Sequence, residues 1–328
     1  MHRIACIGTI LVALLAAAHP VRGNEQEITF ERDKDVGELS IQVDGQEALV
    51  YQYGPDEDLA HYWPVRSPSG ASMTVQHPDP YPHHRSFWFA DEVKLEGHEP
   101  VNFYNAWYTR EKGTDHPCPF RHRIRHRNFL PPEQVDLLEE SADGRNLAMK
   151  LDWEMDWDTR VLTETREMQV TPLGDGEYFL DIVFRVTASN GDVTFTSDWV
   201  HYAWPYIRMN EDFNVKDGGG RIVSSAGGVN REGTNAKEAK WVDYSAPSGE
   251  GTEGLAIFSH PDNRQPHRWL TRDYGCFGPR RVRKRSGKEF TLQQGESLER
   301  RVGVFVHRGD VESGRVAEWY RAYVEGDL

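Results

Sequence analysis

Cysteine is scarce in this 328-residue chain, which has only Cys6, Cys118 and Cys276. That excludes a disulfide-dense scaffold and an all-cysteine structural zinc site. Cys118 and Cys276 lie far apart in sequence, and both a bridge and two free thiols are compatible with that spacing. Positive charge is also short: 38 Lys and Arg stand against 52 Asp and Glu, a formal net charge of −14. An acidic chain is a poor partner for nucleic acid or an anionic membrane surface. Long apolar runs are missing apart from residues 4–18, which follow His2 and Arg3 and end in small residues. A basic end, a short apolar core and a small-residue exit predict a secretory signal peptide over residues 1–23. The run is too short for a membrane span of about 20 residues. The expected product is an exported, periplasmic or extracellular protein, without membrane insertion, built from residues 24–328 as one domain.

Helical periodicity is nearly absent as well. Residues 39–43 and 48–53 read as strands around the turn residues Asp44 and Gly45. In residues 178–188, Tyr178, Leu180, Ile182, Phe184 and Val186 share one face. In residues 146–158 the corresponding set is Leu147, Met149, Leu151, Trp153, Met155 and Trp157. Residues 254–260 and 298–307 are further strands, and Gly, Pro, Asn and Asp clusters separate the runs. The helical exception is residues 311–324, with Val316, Trp319, Tyr320 and Tyr323 at helical spacing. Many strands without alternating helices predict an all-β fold, a large antiparallel two-sheet sandwich with a short C-terminal helix.

Residues 120–128 place Arg121, Arg123, Arg125 and Arg127 on one strand face. Arginine forks suit an anionic sugar. A solvent-facing stripe, paired across strands with the acidic residues of 152–158, is the reading preferred here. Residues 77–85 differ. Pro78, Pro80 and Pro82 stiffen a loop that cannot pair into a sheet, and it carries His83, His84 and Arg85 into the apolar Phe87, Trp88 and Phe89. Such imidazoles can serve as acid or base. In residues 160–170, Glu164 and Arg166 interrupt an otherwise apolar face, which calls for a partner or a water-filled cleft. Residues 239–281 interleave aromatics with His260, Asn263, Arg272 and Asp273 in a pattern suited to sugar recognition, with Trp269 and Tyr274 as stacking surfaces.

These segments, in this order, resemble the bacterial PmoA-like family: Pro82-His83-His84-Arg85, Glu164-x-Arg166, residues 241–244, 258–263 and 269–275. The resemblance runs from about Ser40 to the C-terminal helix. It departs from the family at Ser86, where Gly is usual, and at residues 203–206, where no Glu-Gly pair precedes Ile207-Arg208, so no acid role is carried over there. The label borrows the name of a membrane-bound methane monooxygenase subunit, and that activity is set aside because this chain has no spans. The resemblance implies a galactose-mutarotase-like supersandwich and supplies no mechanism.

The expectation is a carbohydrate-active protein acting on a carbohydrate or other small molecule: a hydrolase, lyase or epimerase, or alternatively a non-catalytic sugar-binding or surface protein. His83, His84 and Glu164 are the expected catalytic groups, with Arg166 holding Glu164 ionised as a base. Arg85, Arg166, His260, Asn263, Trp269, Arg272 and Tyr274 are the expected binding groups; His83, His84 and Arg85 are expected at one cleft with Glu164, Arg166 and one or more of His260, Asn263, Trp269, Arg272 and Tyr274. A metal-dependent oxidase needs three or more ligands about 2.0–2.2 Å from one point. No sequence-local cluster supplies them, so no metal ligand is assigned and the cofactor is left open.

Overall fold

A computed structural model describes residues 27–131, 134, 138, 145–197, 202–263, 267–280 and 289–328. The expected leader, residues 1–23 with Cys6, lies outside them. Among the described residues a nine-stranded sheet runs, in spatial order, Ile28–Asp33, Glu38–Val43, Gln46–Gln52, His61–Val65, Phe87–Trp88, Tyr206–Arg208, Cys276–Pro279, His267–Thr271 and Glu238–Ala239. An eight-stranded sheet runs Arg221–Ser224, Trp241–Ser248, Gly251–Ser259, Ser297–Arg308, Glu177–Thr187, Thr159–Gly174, Asn146–Met155 and Arg123–Phe129. A four-stranded sheet of Phe290–Leu292, Val193–Phe195, Glu92–Leu95 and Val101–Asn102 completes the set. Neighbouring strands pair antiparallel throughout the two large sheets, as in the long ladders that join Thr159–Gly174 to its two neighbours.

Alternation along each strand sorts side chains between two faces. Tyr178, Leu180, Ile182, Phe184 and Val186 enter one buried cluster with Met149, Leu151, Trp153 and Met155, and with Ile41, Leu49, Tyr51 and Tyr62 from the nine-stranded sheet. This shared cluster is the sandwich core, and each large apolar side chain in it contributes roughly 1.5–3 kcal/mol. Trp157 does not continue its predicted face: the strand ends at Met155, and Asp156 and Trp157 turn through φ of 48° and 69°.

The opposite face of the eight-stranded sheet is apolar too. Phe179, Trp241, Ala256, Phe258 and Phe305 pack beneath Val316 and Tyr323 of the helix Val316–Glu325. That helix starts later than the periodicity predicts, because Asp310 Oδ1 accepts from the backbone N–H groups of Glu312 and Ser313 and holds those residues in a turn. No described helix is long and apolar enough to cross a membrane.

The arginine stripe lies across from Asn146–Met155, with Arg123 opposite Glu154 and Arg125 opposite Asp152. Arg123 and Arg125 reach Glu154 at 2.8 and 2.5 Å, Arg127 reaches Asp152 at 3.2 Å, and Arg121 reaches Asp156 at 2.6 Å. The expected cross-strand pairing is therefore present. The expected solvent exposure fails at Arg123, which is buried because Glu154, its partner, is buried as well. The stripe borders a side cavity of about 340 Å³. Cys118 and Cys276 are both buried free thiols.

Candidate functional site

The outer face of the nine-stranded sheet forms the floor of a cleft of about 850 Å³. Register dictates which side chains share that face, and of these Leu270 and Cys276 line the cleft. Trp88 is paired with Tyr206, Arg208 with Cys276, and Leu270 with Gly278. Paired residues project to the same side of an antiparallel sheet, so Trp88, Tyr206, Arg208, Cys276 and Leu270 face outward. Phe87, Ile207 and Phe277 alternate to the other side, where the Phe87 ring lies 5.1 Å from Tyr62 and the Phe277 ring 5.3 Å from Tyr244 of the eight-stranded sheet.

The proline-rich loop closes over one end. Tyr81 N–H donates to Pro78 O at 2.7 Å, His84 N–H to Tyr81 O at 2.9 Å, and His77 N–H to His84 O at 2.9 Å. These bonds present Tyr81, His83 and His84 to the cleft. The His84 ring is stacked on Tyr81 with centroids 5.0 Å apart and lies 5.6 Å from Trp88. Its Nε2 is 2.8 Å from Tyr104 Oη, while its Nδ1 is buried without a hydrogen-bond partner among the described residues. Burial, helped by His83 and Arg208, pushes the His84 pKa down to about 2. His83 is held down to about 4 by burial and by Arg85. Both rings are thus neutral at neutral pH. His83 Nδ1 lies 3.0 Å from Tyr108 Oη, and its Nε2 makes no hydrogen bond among the described residues. With Nδ1–H donating to Tyr108, Nε2 is an open acceptor able to take a proton.

The other end is aromatic and cationic. Tyr274 stacks on Tyr81 at 5.4 Å, and Lys216, Arg231, Arg272 and Asp273 complete the rim with Asn105 and Tyr202. Asp273 Oδ1 accepts from the Arg231 backbone N–H at 3.0 Å. Arg272 Nη1 donates to Asn235 Oδ1 at 2.8 Å. Burial lifts the Tyr274 pKa to about 12 and the Cys276 thiol to about 11, so neither ionises at neutral pH. Gly275 carries φ of 106°, and a Cβ there would stand 2.6 Å from Met209 O and 3.1 Å from Arg208 Nη1. Only glycine lets this turn sit so close to that guanidinium. Among the described residues no group of three or more His, Cys, Asp and Glu side chains is arranged to hold a metal ion.

Of the ten expected site residues, the cleft gathers His83, His84, Arg272 and Tyr274. The other six lie elsewhere. Glu164 and Arg166 are fully buried on the inner face of the opposite sheet, where Arg166 Nη2 lies 2.8 Å from Glu164 Oε1 and Trp153 Nε1–H donates to Glu164 Oε2 at 2.8 Å. The Arg166 guanidinium sits 5.7 Å from the Tyr62 ring, against the core side of the nine-stranded sheet. That sheet separates the pair from the cleft, so Glu164 cannot be the base partner of His83. Arg85 turns away from the histidines beside it and is buried between Asp58, His77 and Trp107. Trp269 is one residue out of phase with Leu270 and points into the core, its Nε1–H donating to Ala239 O at 2.9 Å. His260 and Asn263 belong to the helix side of the eight-stranded sheet. The His260 ring is 5.2 Å from Tyr323, and Asn263 Nδ2 donates to Arg301 O at 2.6 Å.

The cleft residues left out of the expected set include Tyr104, Asn105, Tyr202, Lys216, Arg231 and Cys276. They come from separate segments with no local motif. Tyr81 and Asp273 were more accessible, since each lies within a segment singled out above.

Among solved structures, the chain resembles the GH36 α-galactosidase AgaB from Geobacillus stearothermophilus at 9% identity and a TM-score of 0.46, covering 87% of this chain and 42% of that one. Galactose 1-epimerase from Lactobacillus acidophilus NCFM matches at 9% identity and 0.35, covering 87% of this chain and 99% of that one. The α-galactosidase from Lactobacillus brevis matches at 6% and 0.43, covering 88% and 40%. The chain therefore spans less than half the length of these α-galactosidases, and likeness at this level carries nothing about activity. No curated protein matches the sequence. A family model does match, over residues 38–321, and by that match the chain belongs to a family of unknown function, DUF6807.

Proposed function

We propose that the cleft binds a saccharide and that His83 moves a proton on it. The observation that carries this reading is the wall formed by Tyr81 and Tyr274, stacked at 5.4 Å, beside a neutral imidazole with an open nitrogen. Flat aromatic surface suits the C–H face of a sugar, and the surrounding Asn105, Asp273, Arg272 and Tyr104 supply donors and acceptors for hydroxyls. Hydrolases, lyases and epimerases all need a proton taken or given at a ring or glycosidic position. With Glu164 walled off, Asp273 is the carboxylate lining the cleft among the described residues, and it takes the complementary proton role. The second reading, a non-catalytic sugar-binding protein, is favoured by the fixing of Asp273 Oδ1 on the Arg231 backbone. Export, and kinship with the PmoA-like group, belong to the same proposal: residues 1–23 support the first, and the order of the resembling segments supports the second.

Titrating the purified protein with a panel of oligosaccharides tests the reading. Tyr274→Ala is expected to weaken binding roughly tenfold. His83→Gln is expected to keep binding while slowing turnover by roughly 10²–10⁴-fold. Saccharide binding without turnover in the wild type selects the binding-protein reading. If no saccharide binds at all, the proposal is wrong.

A further inference from the structure

One charge near the cleft has no counter-charge. Arg208 lies on the floor strand Tyr206–Arg208 and is only 7% exposed. Its Nε and Nη1 are buried without a hydrogen-bond partner, and no carboxylate lies within ion-pair distance among the described residues. What the guanidinium does have is the Tyr274 ring, 4.7 Å from its centre. A buried cation left in this state costs several kcal/mol, so the site is incomplete as it stands. The groups around it cannot supply the missing charge. Cys276, its cross-strand neighbour, is a neutral thiol, and Tyr274 and Tyr104 are neutral phenols.

The surroundings add positive charge instead. Arg272 and Arg280 both act on the Cys276 thiol together with Arg208, and the Asn235 Oδ1 accepts from each at 2.8 and 3.3 Å. Lys216 and Arg231 add two exposed cations at the rim, where Asp273 is the lining carboxylate among the described residues and Asp217 lies 3.7 Å from the Lys216 amine. This concentration occurs on a chain whose net charge is −14, so it does not follow from overall composition.

We propose that the cleft is selective for an acidic saccharide, and that the carboxylate or sulfate of that ligand is the missing counter-ion, received over Cys276 between Arg208 and Arg272 with Arg231 and Lys216 at the rim. The inference rests on the saccharide reading and narrows it. Arginine forks match the geometry of both anions, and the Tyr81–Tyr274 wall provides a flat surface for the ring that carries the charge.

Calorimetric titration of the full chain tests it, with glucuronic and galacturonic oligosaccharides, the matching neutral glucose and galactose oligosaccharides, and sulfated galactose. The acidic ligands are expected to bind at least about tenfold tighter than their neutral counterparts, since charge-assisted hydrogen bonds carry that much. Which of the carboxylated and sulfated ligands binds tighter identifies the anion. Arg208→Gln is expected to abolish the preference and leave neutral-sugar affinity in place. Because a buried substitution can disturb folding, the exposed double variant Lys216→Gln/Arg231→Gln provides an independent readout: the preference should fall several-fold and become less sensitive to salt. Equal binding of acidic and neutral ligands, or a preference untouched in both variants, overturns the inference while the saccharide reading stands. Failure of every saccharide, acidic and neutral, overturns both.

Discussion

Glu164 and Arg166 show how much a residue's neighbours decide its role. Both side chains are fully buried and paired with each other, and Glu164 also accepts from Trp153 Nε1–H. The Arg166 guanidinium also packs 5.0 Å from the Phe184 ring. Removing one member leaves the other charged and unpaired in the core, which costs roughly 3–5 kcal/mol, whereas replacing both by apolar groups of similar volume costs far less. Glu164→Gln is therefore expected to lower the denaturant midpoint strongly, and Glu164→Leu/Arg166→Met to recover much of the loss. Ligand affinity of the folded fraction should be unchanged in both. Loss of affinity without loss of stability would return Glu164 to the functional site. The sequence signals that these two residues are unusual, because charge on an apolar strand face is visible in the pattern. It does not signal which way that face points, and a cleft and a core both satisfy the requirement for partners. His83 and His84 were legible because stiffness and imidazoles are local properties. Arg208 was not, because its unmet charge exists only once Cys276, Tyr274 and Asn235 surround it.

At the scale of elements, a single ion pair joins two strands that are not neighbours. Asp243 of Trp241–Ser248 and His307 of Ser297–Arg308 are both fully buried, with His307 Nε2 2.8 Å from Asp243 Oδ1 and Nδ1 3.1 Å from Arg308 O. Both ring nitrogens face acceptors, an arrangement that favours the doubly protonated ring. Asp243, with Glu177 adding to it, raises the His307 pKa above its ordinary value despite the opposing effect of burial. The strand between them, Gly251–Ser259, makes room by carrying Gly254, where a Cβ would stand 2.5 Å from the ring. A pKa raised on folding contributes stability that is fully present below the unfolded value, about 6.5, and is lost as pH rises through the folded value. Urea midpoints should therefore fall from pH 6 to pH 9 in the wild type and fall less steeply in His307→Gln. Parallel slopes would mean that the ring is not charged in the folded state. Strand positions were legible at this scale, since period two is a local signal. Parity was less secure: Trp269 and Leu270 are both apolar enough for either face, and only the pairing of Leu270 with Gly278 settles which one reaches the cleft.

Taken as a whole, the molecule uses its two outer sheet faces for opposite purposes. The nine-stranded sheet leaves its outer face open as the cleft floor. The eight-stranded sheet covers its own with the helix Val316–Glu325, over Phe179, Trp241, Phe258 and Phe305. Tyr323 anchors the helix twice: its ring lies 5.1 Å from Phe179, and its hydroxyl donates to Asp181 Oδ1 at 3.2 Å, where Arg301 also bonds. Each aromatic side chain uncovered would forfeit roughly 1.5–3 kcal/mol of burial, and together they would form an apolar patch that soluble proteins do not tolerate. Ending the chain after Asp310 is expected to lower the unfolding midpoint, to raise binding of a hydrophobic dye, and to shift the protein toward aggregates in gel filtration. Tyr323→Ala should produce the same changes in milder form, at a cost of roughly 3 kcal/mol. Neither change touches a residue of the cleft, so the folded monomer that remains should keep its ligand affinity. A truncated chain that stays monomeric with an unaltered midpoint would show that the helix is dispensable to the sheet beneath it. A truncated chain that folds normally but loses affinity would show that the two outer faces are coupled through the core.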